Sequence, residues 1–165
     1  MPVENRQKSF AVPAIARGTA ALLTTLWIGS MWAIGYVAVP VLFVTLPDKM
    51  LAGMLAGKMF SLTAYIGIGS ACYLLIYLMY GSGPRHAVRQ SAFWIVTVML
   101  LLVLVGEFVF QPQMAGLKAH ALPGDVMHSV YAGRFRILHG MAEIVYLLQS
   151  VLGGVFIIKA KCYAN

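Results

Sequence analysis

Four apolar runs, each long enough to cross a bilayer and each closed by a polar or turn-forming segment, leave this chain few folds to choose from. They cover residues 15–45, 58–80, 91–112 and 134–158, and a membrane-spanning helix needs about 20 apolar residues. Inside lipid every backbone amide must find its partner within the protein, so runs of this length are read as helices. Composition excludes the soluble alternative. Of 165 residues, 61% are hydrophobic and 10% charged, against about 45–50% and about 25% in an average soluble domain. The expected fold is an all-α membrane protein, a four-transmembrane-helix bundle. Residues 14–160 form its one domain, between a cytoplasmic tail at 1–13 and a C-terminal tail at 161–165.

A net charge of +7 would suggest nucleic acid in a soluble protein. Here the basic residues stand at span ends and in connections, where they meet lipid headgroups and set orientation, so nucleic acid is not an expected partner. Arg6, Lys8, Arg17, Arg85, Arg89, Lys159 and Lys161 fall on one side, and Lys49, Lys58, Lys118, Arg134 and Arg136 on the other. The bias puts both termini in the cytoplasm, with a bacterial inner membrane as the expected location. The first run is too long for a signal-peptide core and lacks a small-residue cleavage site, so it is read as a retained helix. Cys72 and Cys162 have neither the number nor the spacing of a disulfide framework or metal motif.

The connections add detail. Pro40 cannot donate to the Tyr36 carbonyl and marks a bend in the long first span. Pro47-Asp48-Lys49 reads as a short connection. Ala52-Gly53 and Ala56-Gly57 follow, small residues one turn apart that let a helix of a second copy or another membrane protein approach. Gly81 to His86 reads as a turn, and the third span is expected to stop at Pro112, freeing the Phe108 carbonyl. A loop over residues 113–133 then carries Lys118, His120, Asp125 and His128. No internal repeat is visible.

Charged or titratable groups inside a span are costly and usually face a partner or water. Glu107, His139 and Glu143 are such groups, and all three fall in the outer half by residue count. On the fourth span Arg136, His139, Glu143, Tyr146 and Ser150 recur at alternating steps of three and four, which sets them on one helix seam. That seam is expected to point inward. Thr25, Gly29, Trp32 and Tyr36 on the first span, Ser61, Tyr65, Gly69 and Cys72 on the second, and Glu107 and Gln111 on the third would face it. The expected pocket is therefore lined by Tyr36, Glu107, Gln111, Arg136, His139, Glu143 and Tyr146.

Three classes of function fit such a pocket. His139 and Glu143, with Glu107 and with His120 or His128 over the mouth, could hold a transition metal such as copper, or haem. An assembly or structural subunit of a larger membrane complex needs no pocket chemistry at all. A small cation or proton transporter could use the same acids, although the inner half of the third span offers only Thr97. The bland alternatives are that His139 and Glu143 pair with each other, that the hydroxyls join helices, and that Arg136 reaches to headgroups. No catalytic motif names a reaction, which sets an enzyme behind these readings.

Several stretches also carry a resemblance. Leu26-Trp27-Ile28-Gly29, Val39-Pro40-Val41-Leu42-Phe43, the segment from Ala52-Gly53 to Phe60, Gln111-Pro112, and Arg134-Phe135-Arg136-Ile137-Leu138-His139-Gly140 together resemble the domain-of-unknown-function 4149 family, which is similar to eukaryotic transmembrane protein 205. The resemblance implies a four-helix membrane fold like that of bacterial copper-resistance membrane components and of a haem-associated protoporphyrinogen oxidase. At the level of fold analogy only, this favours metal or haem. His139 is the seam residue that matches the family pattern.

Overall fold

The first apolar run becomes a helix that changes register before it ends. In the computed structural model, which describes residues 13–121 and 126–162, it consists of α1 (Ala14–Ala33), a π-helical turn (Ile34–Ala38) and α2 (Val39–Thr45). Amides in a π turn reach back five residues instead of four, as Val39 does to the Ile34 carbonyl. Pro40, with no amide hydrogen to give, then falls in the first turn of α2, where proline is tolerated. Lys49 closes this end, its Nζ donating to the Phe43 and Leu46 carbonyls at 2.6 and 3.0 Å.

The second span, α3 (Lys49–Ser82), starts well before the expected position near Lys58. The cause is Asp48, whose carboxylate accepts from the Met50 and Leu51 amides at 2.8 and 3.1 Å. This satisfies donors that a helix start leaves free. Gly83 adopts φ 77°, a left-handed conformation that glycine takes without strain, and α4 (Pro84–Ala87) completes the turn.

The third span corrects the sequence reading more sharply. It runs through α5 (Ser91–Val105), a second π turn (Gly106–Phe110) and α6 (Gln111–Ala121), so Pro112 does not stop it. The device is that of the first span: the Gln111 amide reaches the Gly106 carbonyl just before the proline. Half of the expected 113–133 loop is therefore helix. A 3-10 turn (Val126–His128) and α7 (Ala132–Cys162) follow. Asp125, the tail over 1–12 and residues 163–165 lie outside the described residues.

Successive spans are antiparallel and pack in sequence order, and among neighbouring spans the first and fourth touch least. Arg17 and Lys159 thus share one end, the terminal end, opposite the loop end, where Thr45, Lys49, Ala121 and Ala132 lie. Lipid gives helices no hydrophobic drive to associate, so close packing at small residues holds them together. In α3 the alanines Ala52, Ala56, Ala64 and Ala71 are buried together with Thr63, Ser70 and Leu74, and Gly67 takes the Trp27 indole so closely that a methyl would overlap it. Around that contact Ile28, Met31, Leu74, Val96, Met99 and Phe156 form an apolar core in the terminal half.

Candidate functional site

Depth can be counted from the terminal end, where interfacial groups cluster. Trp94 Nε1 donates to the Val88 carbonyl at 2.8 Å, Lys159 Nζ to Ser91 Oγ at 3.1 Å, and the Tyr73 hydroxyl to the Ala16 carbonyl at 3.2 Å. Aromatic and basic residues of this kind anchor span ends. About 20 residues of helix cross the roughly 30 Å of hydrocarbon. Counted from Arg17, Tyr80, Trp94 and Lys159, that length ends near Pro40, Lys58, Pro112 and His139. Beyond this level α2, the first turns of α3, α6 and the start of α7 form a cap.

The two π turns sit just inside that level and are bonded differently. At the first, Tyr146 of α7 donates its hydroxyl to the Met31 carbonyl. Its ring lies on Gly35, where an added methyl carbon would stand 2.5 Å from Cε1, and meets Phe60 edge-on at 5.2 Å. Tyr36 stands 6.3 Å away on its exposed side. At the second turn, Gln111 Nε2 donates to the Gly57 carbonyl at 3.1 Å and to Ser61 Oγ at 3.4 Å. Glu107 is half-buried there and has no hydrogen bond or ion pair among the described residues. Gly57 and Gly53 are thus engaged within the chain: the Gly53 carbonyl accepts from Lys118 Nζ at 3.2 Å. Both glycines nevertheless stay partly exposed, and a methyl at Gly57 would meet no neighbour.

The expected inward seams face outward instead. On α7 Arg136, His139 and Glu143 are exposed, while Phe135, Gln149, Gly153 and Phe156 are buried. The packed seam lies one residue away, a rotation of about 100°. Only Tyr146 and Ser150 of the predicted set turn in, because a seam stepping by three and four drifts about 20° per heptad around a straight helix. Thr25, Gly29, Trp32 and Tyr36 on the first span, and Tyr65, Gly69 and Cys72 on α3, are exposed likewise. The interior takes small and apolar residues together with the buried polar side chains of Thr63, Ser70, Gln149 and Ser150, and most of the predicted polar seams are left to the periphery.

This separates the proposed metal ligands. His139 Nε2 pairs with Glu143 Oε1 at 3.2 Å, the side chains 54% and 69% exposed. Glu107 sits in the π turn of the third span, His120 on α6 and His128 in the 3-10 turn. Among the described residues no three His, Cys, Asp or Glu side chains converge on one point. Two donors fall short of the roughly four that a closed transition-metal site supplies, so the described residues form no such closed site.

A groove of about 210 Å³ lies between α6 and α7, with Pro112, Leu117 and Leu138 as apolar walls and His120 and Arg134 at the other end. Phe135 packs beside it, its ring under the Lys118 ammonium at 5.5 Å and stacked on His139 at 5.7 Å. Sequence reasoning missed this groove because it exists only if the helix continues past Pro112. Its one legible sign was Arg134 at the head of the last span.

Comparison with known proteins gives one match. The domain of unknown function DUF4149 matches residues 22–123, from the first span to just beyond α6, and does not extend to His139 or Glu143. No curated protein and no solved structure matches the chain.

Proposed function

This chain belongs to the DUF4149 family of membrane proteins, and on that premise we propose that it is an assembly subunit that docks on another transmembrane helix. The docking face is the outer side of the first and fourth spans. The observation that carries this reading is the exposed His139–Glu143 pair. By the depth count Glu143 stands about one turn inside the hydrocarbon, where an uncovered charge costs up to about 2.5–3.5 kcal/mol. Tyr36, edge-on at 6.3 Å to Tyr146 of the same helix as Glu143, adds an exposed hydroxyl, and the small residues Gly29 and Thr25 are exposed on the same span. A neighbouring helix that donated to Glu143 would remove the cost. Both termini at the terminal end, in the cytoplasm by the lysine and arginine bias, and a bacterial inner membrane complete the proposal.

Transport is less well supported, since the apolar core of Trp27, Met31, Val96 and Met99 fills the terminal half. A photo-crosslinking residue at Glu143, compared with one at lipid-facing Ile76, tests the docking. A discrete protein adduct at Glu143 alone is expected, its mass telling another protein from a second copy. Lipid adducts at both positions would overturn it.

A further inference from the structure

We propose that the groove between α6 and α7 binds the headgroup of an anionic phospholipid from the leaflet at the loop end. Its two ends differ in charge. Pro112 and Leu138, at the level where the depth count leaves the hydrocarbon, offer apolar walls with the neutral amide of Gln113 beside them, and His120 and Arg134 close the far end. Leu138 to Arg134 is four residues of helix, about 6 Å of rise. The headgroup layer is about as thick, since hydrocarbon of roughly 30 Å becomes 40–45 Å with both headgroup regions included. Arg134 therefore stands at phosphate height over a floor at acyl-chain height.

The charges fit that occupant. Arg134 is exposed and makes no hydrogen bond or ion pair among the described residues, so its guanidinium fork is available to two phosphate oxygens. Lys49 is spent on the end of α2 and Lys118 on the Gly53 carbonyl and the Phe135 ring. Asp48 serves as a helix cap and Glu143 pairs with His139, which leaves neither to compete for Arg134. At about 210 Å³ the groove is smaller than the roughly 300–1,000 Å³ of pockets that enclose a drug-sized ligand. It holds a headgroup, and the chains stay in the bilayer. Lipid is preferred over free phosphate because the apolar floor opens at membrane level, where a free ion would leave it unused.

The test uses the full chain in mild detergent, with retention of phosphatidylglycerol and phosphatidylcholine measured by native mass spectrometry. Phosphatidylglycerol is expected to be retained preferentially, and Arg134→Gln to weaken it about tenfold, the worth of one charge-assisted hydrogen bond. Gly116→Leu should do the same with Arg134 intact, because Gly116 lines the groove and a Cβ added there meets no neighbour. Arg85→Gln, at the terminal end, should change nothing. Equal retention of the two lipids, or retention of phosphatidylglycerol unaffected by both groove variants, would overturn the proposal. So would displacement of the lipid by inorganic phosphate at millimolar concentration, which would identify a free-anion site. Thermal unfolding of each variant separates lost binding from lost fold, and Gly116→Leu decides the matter should Arg134→Gln unfold.

Discussion

The first and third spans carry the same local device in opposite surroundings. Each breaks α-helical register with a π turn, Ile34–Ala38 or Gly106–Phe110, and each places a proline just beyond it, Pro40 or Pro112. At the first turn a ring from the opposite helix fills the widened backbone: Tyr146 lies on Gly35 and bonds to the Met31 carbonyl. At the second no ring enters. Gly106 faces open space, Gln111 reaches outward to α3, and Glu107 has no partner among the described residues. The difference teaches that the proline accounts only for the register change. The side chain that crosses to the turn decides whether it is a fixed joint. π turns recur at functional sites, and here the open one fits that pattern better than the filled one.

Glycine substitutions should separate the two turns with opposite sign, and this is the largest effect expected. Gly35→Ala would push a methyl into the Tyr146 ring, and overpacking of this kind costs about 1–3 kcal/mol. Gly106→Ala meets nothing and should stabilise by up to about 1 kcal/mol through the helix preference of alanine. Unfolding by dodecyl sulfate in mixed micelles measures both. Equal destabilisation would mean that the second turn is as tightly held as the first, and the distinction would fail.

Much of the scaffold was legible from sequence, and the reasons show where legibility stops. Apolar length alone marked the four spans, because a bilayer imposes it. Pro40 and Pro112 both marked real irregularities, but only a neighbouring backbone register tells a kink from a stop. After Pro112 the residues turn polar, with Gln113, Lys118 and His120, and a proline at the end of an apolar run reads as a helix end. It was instead the helix leaving the membrane. The inward seam was harder to read. Steps of three and four describe every face of a helix, so the set headed by Arg136 and the set headed by Phe135 look alike in period. Side-chain volume decides between them, and the small residues of α3 were the better guide. The His139–Glu143 pairing followed from spacing alone; its outward aspect did not.

A smaller effect is expected from the hydrogen bonds that hold each turn to its neighbour. Tyr146→Phe keeps the ring on Gly35 and removes only the bond to the Met31 carbonyl. Gln111→Leu removes the bonds to Gly57 and Ser61. Interhelical hydrogen bonds in membranes average about 0.6 kcal/mol and reach about 1.7, so each variant should lose an amount in that range by the same unfolding assay. If the first turn is held chiefly by ring packing, Tyr146→Phe will be the milder of the two. A loss for Tyr146→Phe matching that of Gly35→Ala would show that the hydroxyl, and not the ring, fixes the joint.

The smallest change is expected at Glu107, and it is the most direct probe of the open turn. A side chain with no hydrogen bond or ion pair has no partner to lose, so Glu107→Gln, nearly the same in size, should shift stability by less than about 0.5 kcal/mol, the range of substitutions away from specific contacts. Glu107→Leu removes the polar group altogether from a half-buried position inside the hydrocarbon. It should be neutral or stabilising, because a polar group left without a partner in a low-dielectric site costs free energy that a leucine does not. A natural sequence that keeps a carboxyl where leucine is at least as stable keeps it for something other than the fold. Clear destabilisation by Glu107→Leu would instead assign the acid a structural partner and make the two π turns equivalent.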